Sequence, residues 1–399
     1  MGAVDEGSFL AVTAASALAA ILAAVAGSRL AVPVVVLELV LGIVAGPQVL
    51  GLVQPDDLVR FLAIGGLGML FFFAGYEIDF ARIAGRPLRL AAWGWLLTLV
   101  LAYGIGGLLA VAGVVVSLLY TGSAMATTAI GTLLPILGDA GELRTRGFGT
   151  YVLGAGAVGE FGPILLMTLV LSTTHPVHEA AVFVLFVALA LLTALFAVRA
   201  STRGWAVLER SLATSGQAAI RVAVVLVFGL LALAAQLRLD VLLGGFVAGI
   251  IARQALRGRE VAVFESKLVA VAYGFFIPFF FVYSGVTFDL DALTGDPGGA
   301  LKVPLFLALF LVVRGVPALL LYRGALGARD RLALAFYSAT ELPLVVAITT
   351  LAVEEGHMRT STAAALVGAA ILSTLAYPLV ALGLRRQSPT DRATAASSA

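Results

Sequence analysis

Charge is gathered along this chain in short clusters, and between them run uncharged apolar stretches of roughly 18 to 25 residues, the length a helix needs to cross a bilayer. The stretch from Ala180 to Val198 is typical, being apolar or small throughout except for Thr193. A closed barrel would instead alternate in strands of about 10 residues. A soluble core is excluded as well, because 61% of the residues are hydrophobic and only 12% charged, against about 25% charged in ordinary globular domains. The chain is therefore read as an all-α polytopic membrane protein.

Runs between charge clusters give about thirteen helices, near residues 8–26, 31–50, 59–78, 88–112, 114–138, 148–172, 178–199, 217–236, 239–256, 264–287, 301–322, 331–353 and 361–384. The loops then alternate in sign. Of the 25 basic residues, Arg60, Arg238, Lys302 and Arg359 share one side with most of the loop carboxylates, Arg314 is inside a span, and the rest fall on the other side. By the positive-inside rule this predicts an external N-terminus and a cytoplasmic C-terminus in a multi-pass cell (inner) membrane protein. The basic pI is thus topological and implies no nucleic-acid partner. The first apolar run follows Asp5 and Glu6 and lacks a basic leader, so it reads as a span and not as a cleaved signal. Residues 1–384 are expected to form one membrane domain and 385–399 a short polar cytoplasmic tail, with no regulatory domain expected after it.

Two pairs of segments are alike. LVLGIVAG at Leu39–Gly46 matches LLGGFVAG at Leu242–Gly249, and FFFAGYEID at Phe71–Asp79 matches FFFVYSGVTFD at Phe279–Asp289. Both matches are seven helices apart, which predicts two inverted six-helix repeats, about 8–172 and 217–384, joined by a linker helix at about 178–199. The fifth and twelfth helices then correspond. The fifth carries a run of hydroxyls and glycines from Tyr120 to Gly131 ahead of Pro135, and the twelfth carries Ser338-Ala-Thr-Glu-Leu-Pro343. Proline frees a carbonyl one turn earlier, so both are expected to break and cross near the midplane, where backbone dipoles build an ion site.

A charge deep in a membrane helix costs about 2.5 to 3.5 kcal/mol on insertion scales, so such residues are functional candidates. Glu38, Glu160, Arg314 and Glu341 stand out. Glu160 lies among glycines in the sixth helix, just before Pro163, and a buried carboxylate that holds either a proton or a dehydrated cation is the minimum chemistry of exchange. Arg314 is always protonated and is expected to lie against a carboxylate, with Glu341 and Glu160 both eligible. Glu38 reads as a packing or vestibule residue, Glu77 and Asp79 as interfacial, and His175, His178 and His357 as solvated loop residues. Gly154-x-Gly156-x-x-Gly159 matches a dinucleotide fingerprint but lacks the strand and the βαβ unit that motif requires. No cofactor is expected, and no metal beyond a transported monovalent cation at Glu160. With no cysteine, thiolate chemistry is excluded.

The stretches Pro33–Leu52, Gly66–Asp79, Leu243–Ala252 and Phe275–Asp289 resemble the cation:proton antiporter superfamily, nearest the branch of glutathione-gated potassium efflux and sodium/proton antiporters. The resemblance implies thirteen helices, a homodimer and a mobile core with two crossed broken helices. It places Thr127 and Thr128 at a break that supplies hydroxyl or carbonyl ligands, and matches Arg314 and Glu341 to charged positions of the last helices. That family carries a polar pair in the sixth helix, and here the pair is Gly159-Glu160. The first polar side chain is thus absent, which turns Arg314 towards Glu341.

The leading expectation is a Na⁺ or K⁺/proton antiporter in which cation and proton compete for Glu160. With one acidic group at the pair, exchange is expected to be electroneutral as long as Arg314 and Glu341 stay ionised. The competing reading is an ion-coupled symporter of a small organic solute on a similar scaffold. An enzyme is not expected, since the spans carry no HExxH, no Ser/His pairing and no paired catalytic aspartates.

Overall fold

The computed structural model describes residues 5–30, 33–77, 80–144, 147–166, scattered positions within 184–199, and 208–237, 241–256, 261–295 and 297–386. Every regular element among them is helical. The principal helices are α1 (Glu6–Leu30), α2 (Val34–Ala45), α3 (Asp57–Glu77), α4 (Arg86–Val111), α5 (Leu118–Met125), α6 (Ile130–Asp139), α7 (Phe148–Leu166), α8 (Ala218–Gln236), α9 (Val241–Ala255), α10 (Ala262–Val271) and α11 (Ile277–Val286). They continue with α12 (Pro297–Phe310), α13 (Val316–Leu321), α14 (Ala328–Ser338), α15 (Pro343–Glu354) and α16 (Thr360–Arg386). Wider turns at Ala272–Phe276 and Leu311–Gly315 join α10 to α11 and α12 to α13.

Nine helical stretches among the described residues are long and apolar enough to cross a membrane. Their outward faces are apolar too, with Leu108, Val111 and Leu301 among the most exposed side chains, as expected where lipid is the solvent. The expected span at 178–199 lies largely outside the described residues, as do Asp79, His175, His178 and the tail beyond Arg386. The last helix runs two residues past the expected end at 384. Ahead of α1, Asp5 accepts hydrogen bonds from the Ser8 hydroxyl at 2.6 Å and from the Gly7 and Ser8 N–H groups. The Ser8 bond, aided by these N–H donors, holds its carboxyl below the usual carboxylate range.

Internal packing divides the chain into two units, one of residues 1–21, 38–79 and 164–287 and one of 22–37, 80–163 and 288–399. In the first, close backbone approaches organise the helices. A Cβ at Gly249 in α9 would overlap Phe72 O of α3, and one at Gly75 in α3 would overlap Phe246 O of α9. Gly42 of α2 and Gly285 of α11 meet in the same way, through Val282 O and Leu39 O. Each segment of one sequence-related pair thus packs on a member of the other. Backbone carbonyls cannot rotate aside, so Gly249→Ala is expected to cost about 1–3 kcal/mol through overpacking. Gly104→Ala, where an added Cβ meets nothing within 4 Å, should leave the melting temperature of the detergent-solubilised protein unchanged or higher.

The second unit holds both interrupted spans. Its core joins Leu133 and Leu137 of α6, Phe148 and Val152 of α7, Ala318 of α13 and Leu334 and Tyr337 of α14.

Candidate functional site

Helix α5 ends at Met125, and residues 126–129 are not helical before α6 begins. Helix α14 ends at Ser338, residues 339–342 are not helical, and Pro343 starts α15, where its missing N–H costs nothing. Both interruptions fall where the sequence placed its breakers. They cross, for Ala129 N donates to Thr340 O at 2.8 Å and the Thr128 hydroxyl donates to Ser338 O at 2.6 Å. Trp95 Nε1 of α4 reaches Ala126 O at 3.1 Å, and the Thr127 hydroxyl donates to Ala124 O at 3.1 Å.

Two prolines explain how neighbouring helices attach to this crossing. Proline at position i leaves the carbonyl at i−4 without its helical donor. Pro163 thereby frees Gly159 O in α7, which accepts the Thr128 N–H at 3.0 Å. Pro317 likewise frees Val313 O, which accepts the Thr98 hydroxyl of α4 at 3.3 Å. The freed carbonyl in α7 is one residue from Glu160, whose side chain is 1% exposed.

Arg314 lies in the wide turn between α12 and α13 and is buried. Its Nε donates to Thr128 Oγ1 at 3.0 Å and to Ser338 O at 3.2 Å, and Nη2 reaches Thr128 Oγ1 at 2.5 Å and Ala155 O at 3.4 Å. Nη1 donates to Thr98 Oγ1 at 3.3 Å. The guanidinium thus serves neutral oxygens and lies at the negative end of α14. Glu341, fully buried, does not hydrogen-bond to it. The groups that act on the Glu341 carboxylate are the Arg314 charge and the Thr127 hydroxyl. The Glu341 backbone is instead pinned by α16, its N–H bonding Ser373 Oγ at 3.0 Å and its carbonyl accepting the Thr374 hydroxyl at 3.1 Å.

The structure thus brings Thr127, Thr128, Arg314, the Glu341 backbone and the α7 turn carrying Glu160 to one place. Glu38 is buried in the other unit, and Glu77 ends α3 there. His357 is exposed and stacks on Tyr120, whose hydroxyl donates to Glu355. Among the described residues no three His, Cys, Asp or Glu side chains converge, so the oxygens on offer are carboxylate, hydroxyl and carbonyl. That set suits a hard monovalent cation or a proton better than a resident transition metal.

Residues 14–382 match the transmembrane sodium/hydrogen exchanger family. The chain belongs to that family. Among exchanger relatives it is 24% identical over 387 residues to the putative Na(+)/H(+) antiporter YjbQ of Bacillus subtilis, a match covering 92% of this chain and 61% of YjbQ. It is 29% identical over 278 residues to the Na(+)/H(+)-K(+) antiporter GerN of Bacillus cereus, across 66% of this chain and 68% of GerN. The fold is that of the sodium proton antiporter MjNhaP1 of Methanocaldococcus jannaschii, with a TM-score of 0.62 over 94% of this chain and 96% of that one at 15% identity. In this exchanger-family chain, Thr98, Trp95, Ser373 and Thr374 complete the site. Sequence reasoning passed over all four. The offset of four between Pro163 and Gly159, and between Pro317 and Val313, signals which carbonyls needed donors but not which donors fold onto them.

Proposed function

We propose that this protein exchanges Na⁺ or K⁺ for protons by alternating access, with cation and proton competing for Glu160. The observation that carries this reading is the crossing of the two broken spans, hydrogen-bonded through Gly159 O to the turn that bears the buried Glu160. A carboxylate there is desolvated, so it must hold either a proton or a cation, and exchange follows because neither leaves without replacement. Thr127 offers hydroxyl and carbonyl oxygens to the cation and Thr128 its carbonyl, the Thr128 hydroxyl being taken by Arg314 and Ser338 O, while Arg314 and Glu341 are the charges that stay ionised through the cycle. The names of YjbQ and GerN support sodium, and that of GerN potassium as well.

The wider reading is of a homodimer in the cell membrane with an external N-terminus, each chain a single membrane domain of two inverted repeats. Exchange at Glu160 alone replaces one proton by one cation and moves no net charge. Proteoliposomes test both points. Adding Na⁺ or K⁺ outside should release protons from inside, reported by a trapped pH dye, and flux should reverse when the cation and proton gradients are equal whatever the imposed membrane potential. Absence of any cation-driven pH change would sink the exchange reading. A potential-dependent reversal would show that a second group carries charge.

A further inference from the structure

We propose that Gly159 and Arg314 form a size-matched couple that sets the crossing of the broken spans, Gly159 being the positioning residue that admits the arginine. The consequences for transport rest on the exchange reading above, whereas those for stability do not. A Cβ built on Gly159 would overlap Arg314 Nη2 and come within 2.6 Å of Thr128 Oγ1. Both atoms are held by hydrogen bonds that a retreat would lengthen or break. Thr128 Oγ1 is held against Ser338 O at 2.6 Å, and the guanidinium is bonded at once to α4, α7, α14 and the 126–129 break. Gly159 therefore does more than lack a polar group, because its missing side chain is the space the guanidinium fills.

The couple reaches the ion site through Thr128. This residue takes two bonds from Arg314 on its hydroxyl and gives its N–H to Gly159 O, the carbonyl next to Glu160. A side chain at position 159 would push Arg314 and Thr128 away together and loosen the turn that aims Glu160. Lysine has no counterpart of Nη2, since its ammonium is a single compact head on a flexible stem. Arg314→Lys should therefore make room for a methyl group at 159.

The experiment is a double-mutant cycle of wild type, Gly159→Ala, Arg314→Lys and Gly159→Ala/Arg314→Lys. Melting temperature is measured in detergent, and cation KM and maximal rate in proteoliposomes. Gly159→Ala alone should lower the melting temperature and raise KM severalfold, beyond the roughly twofold scatter of independent effects. In the Arg314→Lys background the same methyl group should change KM by no more than about twofold, within that scatter. Equal penalties in both backgrounds overturn the couple, as does a Gly159→Ala protein indistinguishable from wild type. A lower melting temperature with unchanged KM overturns the positioning role. If Gly159→Ala does not fold, recovery of folding in the double variant supports the proposal and failure in both backgrounds overturns it. Wild-type protein that exchanges nothing refutes the exchange reading, and the melting cycle then still decides the couple.

Discussion

Glu160→Gln should reduce cation-driven proton release to the rate of protein-free liposomes, with no loss of membrane insertion and a melting temperature at or above that of wild type. Glutamine has the shape of a protonated glutamate, so packing in the glycine-rich stretch of α7 is preserved. It can neither release a proton nor carry the charge that balances a dehydrated cation, so both ligands of the exchange are lost together. Removing a buried ionisable group also removes its desolvation cost, which is why stability should not fall. Glu160→Asp separates charge from reach. It keeps the titratable group one methylene shorter and should retain exchange with weaker cation affinity. Robust cation-dependent pH changes in Glu160→Gln would show that the exchanging carboxylate is elsewhere, with Glu341 the next to test.

Much of this was legible in the sequence because lipid imposes strict demands. Backbone groups in a bilayer must bond internally, so apolar runs between charge clusters could only be helices, and their limits emerged within a few residues for α3, α8 and the two interrupted spans. The breaks were legible for a related reason, since proline beside hydroxyl-rich or acidic residues leaves carbonyls that need donors. What composition and spacing did not reveal was which side chains fold together. Arg314 was expected to look to a carboxylate, and Glu341 does act on it through space, but its hydrogen bonds go to Thr98, Thr128, Ser338 and Ala155, brought to it from four other segments. A guanidinium has five donors, and several neutral oxygens with a helix C-terminus satisfy it as one carboxylate would.

Arg385 shows the same limit at a helix end. Read from the sequence it is one of the charges that set topology at the start of the tail, but in the structure its side chain is 4% exposed. Its Nε lies 3.0 Å from Glu142 Oε2, its Nη1 2.6 Å from Asp330 Oδ1, and its guanidinium 4.3 Å over the ring of Phe148. These partners sit just after α6, in the first turn of α14 and at the first residue of α7, so one side chain ties together the ends of three helices that lead to the crossing. Arg385→Ala should destabilise the protein by about 3 kcal/mol, the lower end of the range for breaking a buried ion pair, because water reaches Asp330, which is 17% exposed. Most of that cost is the charge left on Glu142 and Asp330 and not the attraction lost. Arg385→Met combined with Glu142→Gln and Asp330→Asn should therefore recover most of the melting temperature, since it removes all three charges and keeps their volumes. If the triple variant were as unstable as Arg385→Ala, the packing of Arg385 on Phe148 would be the dominant contribution and the ion pairs secondary.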